Sequence, residues 1–328
     1  MITSSMIYEA PGFDPYENLA AEQYLLEHLL PGQCILYLWQ NQNTVVIGRN
    51  QNAWTECRTS LLEQEHGKLA RRLSGGGAVF HDLGNLNFTF FMNETDFDTD
   101  KQLSVIQKAC AMAGIVTEKS GRNDVLAQGR KFSGNAFYHS QGRAYHHGTL
   151  LIQSDMDKLQ RYLSPPKAKL ESKGIRSVRS RVVNLSELAQ GLTVDTMKAY
   201  MRQAFGEVYQ ANLQPLSLSD NARFEISQIC QRISTWDYLY GNPLPFTCQL
   251  QQHFSWGNLE INIQAKNGII QAVKVYSDAM DWLLPQQIER ILYGCRFTKE
   301  DMQKSIQAAL SNNAICDDLC LMLQHQDI

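Results

Sequence analysis

The chain has 328 residues, 44% of them hydrophobic and 19% charged, so it is not a disordered chain, and its length suits about two domains. Thirty Lys and Arg stand against 33 Asp and Glu, a formal net charge of −3, which excludes the globally basic footprint of a dedicated nucleic-acid binder. No apolar run approaches a bilayer span, which excludes a helical membrane protein.

Asp14-Pro15-Tyr16-Glu17 reads as a helix start, with Asp14 as cap and Pro15 at the first helical position. Leu19, Ala20, Leu25, Leu26 and Leu29 continue it as an apolar stripe. Ile35–Trp39 and Thr44–Gly48 read as two strands around an Asn-Gln-Asn turn, and residues 86–91 as another strand. Residues 104–113 read as a helix stopped by Gly114. A hairpin turning near Gln128-Gly129 is expected next, then a strand over 145–153. Residues 167–181 carry Lys167, Lys169, Lys173, Arg176, Arg179 and Arg181 against Glu171 alone, without helical period, and read as a mobile basic loop. A helix over 193–209 follows.

Asn242-Pro243-Leu244-Pro245 breaks any regular element and marks the expected boundary between domains 1–245 and 246–328. Beyond it, two alternating runs flank Asn267-Gly268, a hairpin signal, and two or three helices complete a small α+β unit. The eight cysteines form no Cys-x-x-Cys pair, and zinc-site spacing is missing. They read as reduced thiols of a cytoplasmic protein. No Lys or Arg precedes Arg49, so no targeting segment is expected.

Four stretches hold groups suited to chemistry. Arg71-Arg72-Leu73-Ser74-Gly75-Gly76-Gly77-Ala78-Val79-Phe80-His81-Asp82 offers bare backbone N–H groups to an anion and a guanidinium for a phosphate or carboxylate; a flexible turn is the plain alternative. In Gly121-Arg122-Asn123-Asp124 and Gly129-Arg130-Lys131-Phe132-Ser133-Gly134-Asn135-Ala136, Lys131 is either a solvated hairpin lysine or a compact cation for an α-phosphate. His146 and His147 on one strand point to opposite faces and cannot chelate one metal. The basic loop is the fourth. Asp82, Asp124 and Asn85 are acceptors available to Mg²⁺ through phosphate oxygens.

Taken in order, these stretches resemble the lipoate–protein ligase A family. Arg71 to Asp82 with Gly84-Asn85 matches its lipoate-binding loop, and Lys173-Gly174-Ile175-Arg176-Ser177-Val178-Arg179-Ser180-Arg181-Val182 its adenylate-binding loop. The resemblance implies an α+β fold: a biotin/lipoate ligase-like domain of mixed, mainly antiparallel sheets with flanking helices, plus a small C-terminal domain. It implies that lipoate and ATP with Mg²⁺ give lipoyl-AMP, and that the lipoyl group passes to a lysine of apo carrier domains. These are acyltransferase subunits of 2-oxoacid dehydrogenases and the glycine-cleavage carrier protein. Neither nucleic acid nor membrane is an expected partner.

On that resemblance Lys131 is the catalytic cation, and Arg72, Gly77, Ala78, Val79, Phe80 and Lys131 hold ATP. Arg72, Ser74, Gly75, Gly76, Lys131, Ala136 and His147 hold lipoate, with Val79 and Phe88 lining a slot for the acyl tail. Lys173, Gly174, Ser177, Val178 and Arg181 cover the adenylate, while Asn85, Asn123 and Asp124 lie near the nucleotide. Three other readings are an octanoyltransferase of the same fold, a biotin ligase and a non-catalytic carrier-binding protein. An acyl-carrying thiolate is disfavoured because no cysteine lies within 111–229.

Overall fold

The computed structural model describes residues 2–121, 123–163, 182–240, 248–266, 268–310 and 314–324. The expected boundary at 245/246 and the basic loop 167–181 lie outside them. The chain divides into two compact units: Met1–Ile47, Ala53–Ser74 and Ala78–Leu239 form the first, and Gly48–Asn52, Gly75–Gly77 and Tyr240–Ile328 the second. The strands, in chain order, are β1 (Ser4–Glu9), β2 (Gln33–Trp39), β3 (Thr44–Ile47), β4 (Lys68–Arg71), β5 (Val79–His81), β6 (Asn85–Asn93), β7 (Thr117–Ser120) and β8 (Asp124–Ala127). Then come β9 (Arg130–Ser140), β10 (Arg143–Leu151), β11 (Gln214–Pro215), β12 (Cys248–Phe254), β13 (Gly257–Lys266) and β14 (Ile269–Ser277).

In the first unit an eight-stranded sheet runs β11-β1-β2-β6-β10-β9-β8-β7, and a three-stranded sheet runs β4-β3-β5. Pairing is antiparallel except at β11/β1, β1/β2 and β3/β4. The mixed, mainly antiparallel architecture expected from the resemblance is therefore present. The Asn-Gln-Asn segment does not make a hairpin: β2 pairs with β1 and β6, while β3 joins the other sheet. Asn41 is buried there and accepts a hydrogen bond from Asn18, so the turn is tied to the first helix and redirects the chain.

Strand alternation divides the large sheet into two faces. Leu36, Leu38, Phe88, Phe90 and Met92 face a core completed by the helices Thr99–Met112 and Val194–Tyr209. His146 belongs to that face: its Nδ1 and Nε2 lie 2.8 Å from Gln102 Oε1 and Asn135 Oδ1, and because Asn135 Nδ2 donates to Asn123 O, Asn135 Oδ1 accepts from Nε2. It is a core histidine with a polar neighbour at each nitrogen. The opposite face carries Tyr37, Trp39, Asn87, Thr89 and His147 and meets helix α1 (Pro15–Glu27) through Asn18 and Glu22. Asp14 caps α1 as expected, accepting from Tyr16 N–H at 2.8 Å and Glu17 N–H at 3.3 Å. The second unit has β12-β13-β14 and the helices Leu284–Leu292, Lys299–Ala309 and Ala314–Gln324; β12 carries no turn signal and went unread in the sequence.

Burial pushes His146 down to about 3, so the folded protein keeps it neutral where an unfolded chain would protonate it. Its folded value lies below its unfolded one. The stabilisation is therefore complete above about pH 6.5 and is lost as pH falls toward 3, at about 1.4 kcal/mol per pH unit. Urea denaturation at pH 7 and pH 5 should show this loss, and His146→Gln should show a shallower fall. Equal falls in both proteins would exclude His146 as its source.

Candidate active site

Glu22 lies on the apolar stripe of α1, three residues after Leu19 and four before Leu26, and is buried to 2% exposure. A carboxylate there requires donors. Its Oε1 accepts from the Thr89 hydroxyl at 2.7 Å and meets His147 Nδ1 at 2.8 Å. The Trp39 indole N–H donates to Thr89 Oγ1 at 3.1 Å, so the Thr89 proton is directed to Glu22. A carboxylate only accepts, which puts a proton on His147 Nδ1, and His147 Nε2 lies 2.8 Å from Ser74 Oγ. Arg72 Nε in turn donates to Ser74 Oγ at 3.1 Å, and its Nη1 to Val46 O at 3.1 Å. Hydrogen bonds thus run without a break from Arg72 through Ser74 and His147, and from Trp39 through Thr89, to Glu22. Desolvation draws the Arg72 guanidinium down to about 10, opposed by Tyr145 and Glu22, so it stays charged at neutral pH.

The second cation sits in the hairpin that the sequence placed at Gln128-Gly129, where both residues adopt positive φ. Asp124 pairs with Gly134 and Leu126 with Lys131, so Phe132 is an extra residue. In a regular strand, residues 131 and 134 would lie on opposite faces; the bulge brings Lys131 onto the face of Asp124 and Gly134. Lys131 Nζ is 2.7 Å from Asp124 Oδ1, both side chains about a third exposed. A Cβ on Gly134 would stand 3.0 Å from Nζ, so glycine leaves the lysine its room. Ala136, opposite His147, continues the same face. Register thus brings Lys131, Asp124, Ala136, His147 and, through Ser74, Arg72 together on the α1 side of the sheet.

Other expected residues behave differently. Asn85 begins β6 on this face: its Nδ2 donates to Asn87 Oδ1 at 2.9 Å, while its own Oδ1 and Asn87 Nδ2 are buried without partners among the described residues. Asn123 braces the hairpin, donating to Asn135 O at 3.1 Å and accepting from Asn135 N–H at 2.8 Å. Phe80 is buried and packs on Tyr162, Val79 pairs with Val46 across the small sheet, and Ala78 is half-buried. Phe88 does not line this face; the pleat turns it into the core beside His146. Gly75, Gly76 and Gly77 belong to the second unit, where Gly76 N–H (φ 89°) donates to Ala279 O at 3.3 Å. A Cβ on Gly75 would stand 2.3 Å from Ala279 O, so the bare backbone there is needed for packing within that unit. Lys173, Gly174, Ser177, Val178 and Arg181 lie outside the described residues.

Sequence reading missed Glu22 and Thr89; the available signal was a glutamate inside an apolar stripe. A cleft of about 750 Å³ between residues 95–100 and Lys119, Asn123 and Phe137 lies at the edge of the same hairpin. Asp96, Asp98 and Asp100 line it, which suits it poorly to a polyanion. Among the described residues no group of three or more His, Cys, Asp or Glu is placed to hold a metal ion, and no helix is long and apolar enough to cross a membrane.

Arg72 and Lys131 are thus both held by named partners on the α1 side of the large sheet. Residues 14–206 match the model of the lipoyl protein ligase A/B catalytic domain, and 244–318 that of the bacterial lipoate protein ligase C-terminus. The chain is 38% identical over 298 residues to a lipoate-protein ligase A of Psychrobacter cryohalolentis, covering 88% of each, and 41% identical over 277 residues to that of Blochmanniella pennsylvanica, covering 82% of each. The crystal structure of P. falciparum LipL1 in complex with lipoate superposes with a TM-score of 0.85 at 27% identity, covering 98% of this chain and 100% of the other. The chain belongs to the lipoate–protein ligase A family.

Glu22→Leu leaves the Thr89 hydroxyl and the His147 N–H without their acceptor, and should lower the unfolding free energy by about 2–4 kcal/mol, whereas Glu22→Gln, which keeps an oxygen for both, should lower it by about 1 kcal/mol. Urea denaturation of the two variants gives the comparison; equal losses would contradict the donor chain.

Proposed function

We infer that this chain is a lipoate–protein ligase, which activates lipoate with ATP as lipoyl-AMP and then passes the lipoyl group to a lysine of an apo carrier domain. The observation that carries this reading is the pair of cations, Arg72 and Lys131, each held by named partners on one sheet face, in a chain of this family. Adenylation brings together a carboxylate and a triphosphate, and fixed cations lower the barrier that their repulsion raises. Lys131 is the candidate to meet both the carboxyl oxygen and the α-phosphate. Its ion pair with Asp124 is half-open, so a ligand anion can compete for the ammonium. Buried Arg72 binds and orients the acid, and Ser74, Ala136 and His147 form the surface beside it.

Magnesium enters here as part of the ATP substrate. Asp82 accepts from Gly84 N–H at 2.9 Å and Asp155 N–H at 2.6 Å, so its oxygens are engaged in the loop. Asp124, about a third exposed, is the oxygen donor open to a phosphate-bound Mg²⁺, whose charge would screen the phosphates, whereas Asn85 Oδ1 is buried at the start of β6. The proposed acceptors are carrier domains of 2-oxoacid dehydrogenases and of glycine cleavage, and the proposed compartment is the cytoplasm.

A transferase working through an acyl-thioester needs a thiolate. Burial pushes Cys34, Cys57 and Cys110 up to about 12, and raises Cys230 as well, which disfavours that chemistry in the first unit. Lys131→Ala should reduce lipoate-dependent ATP–pyrophosphate exchange by about 100-fold or more. Mass spectrometry of an apo carrier domain, with enzyme, Mg-ATP and lipoate omitted in turn, checks the whole reaction. Modification without nucleotide would overturn the ligase reading.

A further inference from the structure

The second unit gathers positive charge against its own composition: residues 240–328 hold six Lys and Arg but nine Asp and Glu. Lys274 is paired with Glu289 at 3.1 Å, and Arg290 lies in the last turn of helix Leu284–Leu292, where a cation answers the carbonyl end. Lys266 and Arg296 have neither reason to be where they are, yet backbone pairing brings them into one row. Lys266, the last residue of β13, pairs with Ile269, the first of β14, and Ile269 pairs on its other side with Arg296. The segment after the helix is tied on like a further strand. Gly294 N–H donates to Ile270 O at 3.0 Å, Ile270 N–H to Cys295 O at 2.9 Å, and Phe297 N–H to Gly268 O at 2.9 Å. Ile270 and Cys295 pack into the core of this unit, with Cys295 Sγ 3.1 Å from both Ile291 O and Ser305 Oγ. Alternation therefore sends Ile269 and Arg296 to the other face, and residues paired directly across an antiparallel ladder share a face, so Lys266 joins them.

The row is two exposed cations on either side of a half-buried isoleucine, two strand spacings or roughly 10 Å apart. Tyr293, 66% exposed, stands at the same end, next to Gly294. The acids of this unit nearest in the fold are occupied elsewhere. Glu289 meets Lys274 and the Val275 N–H, Asp301 accepts from the Thr298 hydroxyl, and Glu260 is 8% exposed and accepts from Asn262. Neither Lys266 nor Arg296 has an ion pair among the described residues. We propose that this row is a docking surface for an acidic segment of the protein that receives the lipoyl group, with an Asp or Glu seated over Ile269 between Lys266 and Arg296. The proposal rests on the ligase reading above, which makes a protein the second substrate, and it names the part of this chain that recognises it. A carboxylate over Ile269 is within reach of both cations at once. Exposed charges of this kind govern encounter rate and register, while an exposed tyrosine supplies apolar contact area.

Two assays on the full chain separate recognition from chemistry: lipoate-dependent ATP–pyrophosphate exchange, which needs no carrier, and lipoyl transfer to the apo lipoyl domain of a 2-oxoacid dehydrogenase. Lys266→Glu and Arg296→Glu together should raise the KM for the apo domain about tenfold or more and leave exchange within about twofold of wild type. Lys266→Gln with Arg296→Gln should raise it by about threefold. The difference between wild type and the reversed variant should shrink as sodium chloride is raised, because screening weakens exposed charge pairs. When surface acids of the apo domain are changed to lysine one at a time, one such change should recover affinity for the reversed enzyme and lose it for wild type. An unchanged carrier KM, a rise indifferent to salt, or an equal loss of exchange would overturn the proposal, as would reversal that abolishes binding of a duplex oligonucleotide while the carrier KM stays the same. A wild-type protein with no lipoate-dependent exchange would instead remove the ligase reading on which it stands.

Discussion

A guanidinium and a carboxylate cannot both be buried on one sheet face unless an unbroken line of hydrogen bonds joins them to their surroundings. Arg72 and Glu22 are in that position, and the identities of Ser74, His147, Thr89 and Trp39 follow from it. Ser74 is small enough to turn between guanidinium and imidazole. Histidine is the side chain that can donate on one edge and accept on the other. Thr89 passes the indole proton onward. Removing any one of these groups would leave a buried donor or acceptor unmatched, and the penalty for that exceeds what the bond itself contributes. The geometry of this face is therefore set by the fold itself.

The two cations are held in contrasting ways. Arg72 is locked by neighbours and stays charged although desolvated. Lys131 rests against one carboxylate at the rim of a bulged hairpin. That pair is about a third exposed, so its ammonium is open to solvent beside the carboxylate. The bulge at Phe132 sets this arrangement: it buries the phenyl ring in the core and turns the preceding lysine to the face of Asp124 and Gly134.

Local signals carried much of this. Asp14 and Pro15 announced α1, Gln128-Gly129 announced the hairpin, and the alternation through His146-His147 assigned those rings to opposite faces. The family resemblance named Arg72 and Lys131. What stayed hidden depended on contacts distant in sequence. Glu22 reads as an ordinary helix glutamate until β6 and β10 are laid beneath it. Phe88 reads as a ligand-slot residue until the pleat turns it away. The segment between β2 and β3 has the composition of a hairpin turn, yet Asn41 is claimed by Asn18 from a preceding helix, and no local rule weighs that competition. The triglycine run reads as an anion cradle, whereas Gly75 has a plain steric reason to lack a side chain.

The division of the chain has a practical bearing on dissecting this enzyme by gene truncation. A cut after Leu239 would not yield an intact C-terminal fragment, because the segments Gly48–Asn52 and Gly75–Gly77 would remain on the other polypeptide. The carbonyl of Asn50, which accepts from Ser277 N–H at 2.8 Å, and the N–H of Gly76 would be severed from their covalent setting. The liberated piece would present an unfilled seam at Ser277–Ala279. Complementation between separately expressed halves, not autonomous folding of the smaller one, is the behaviour such interleaving favours.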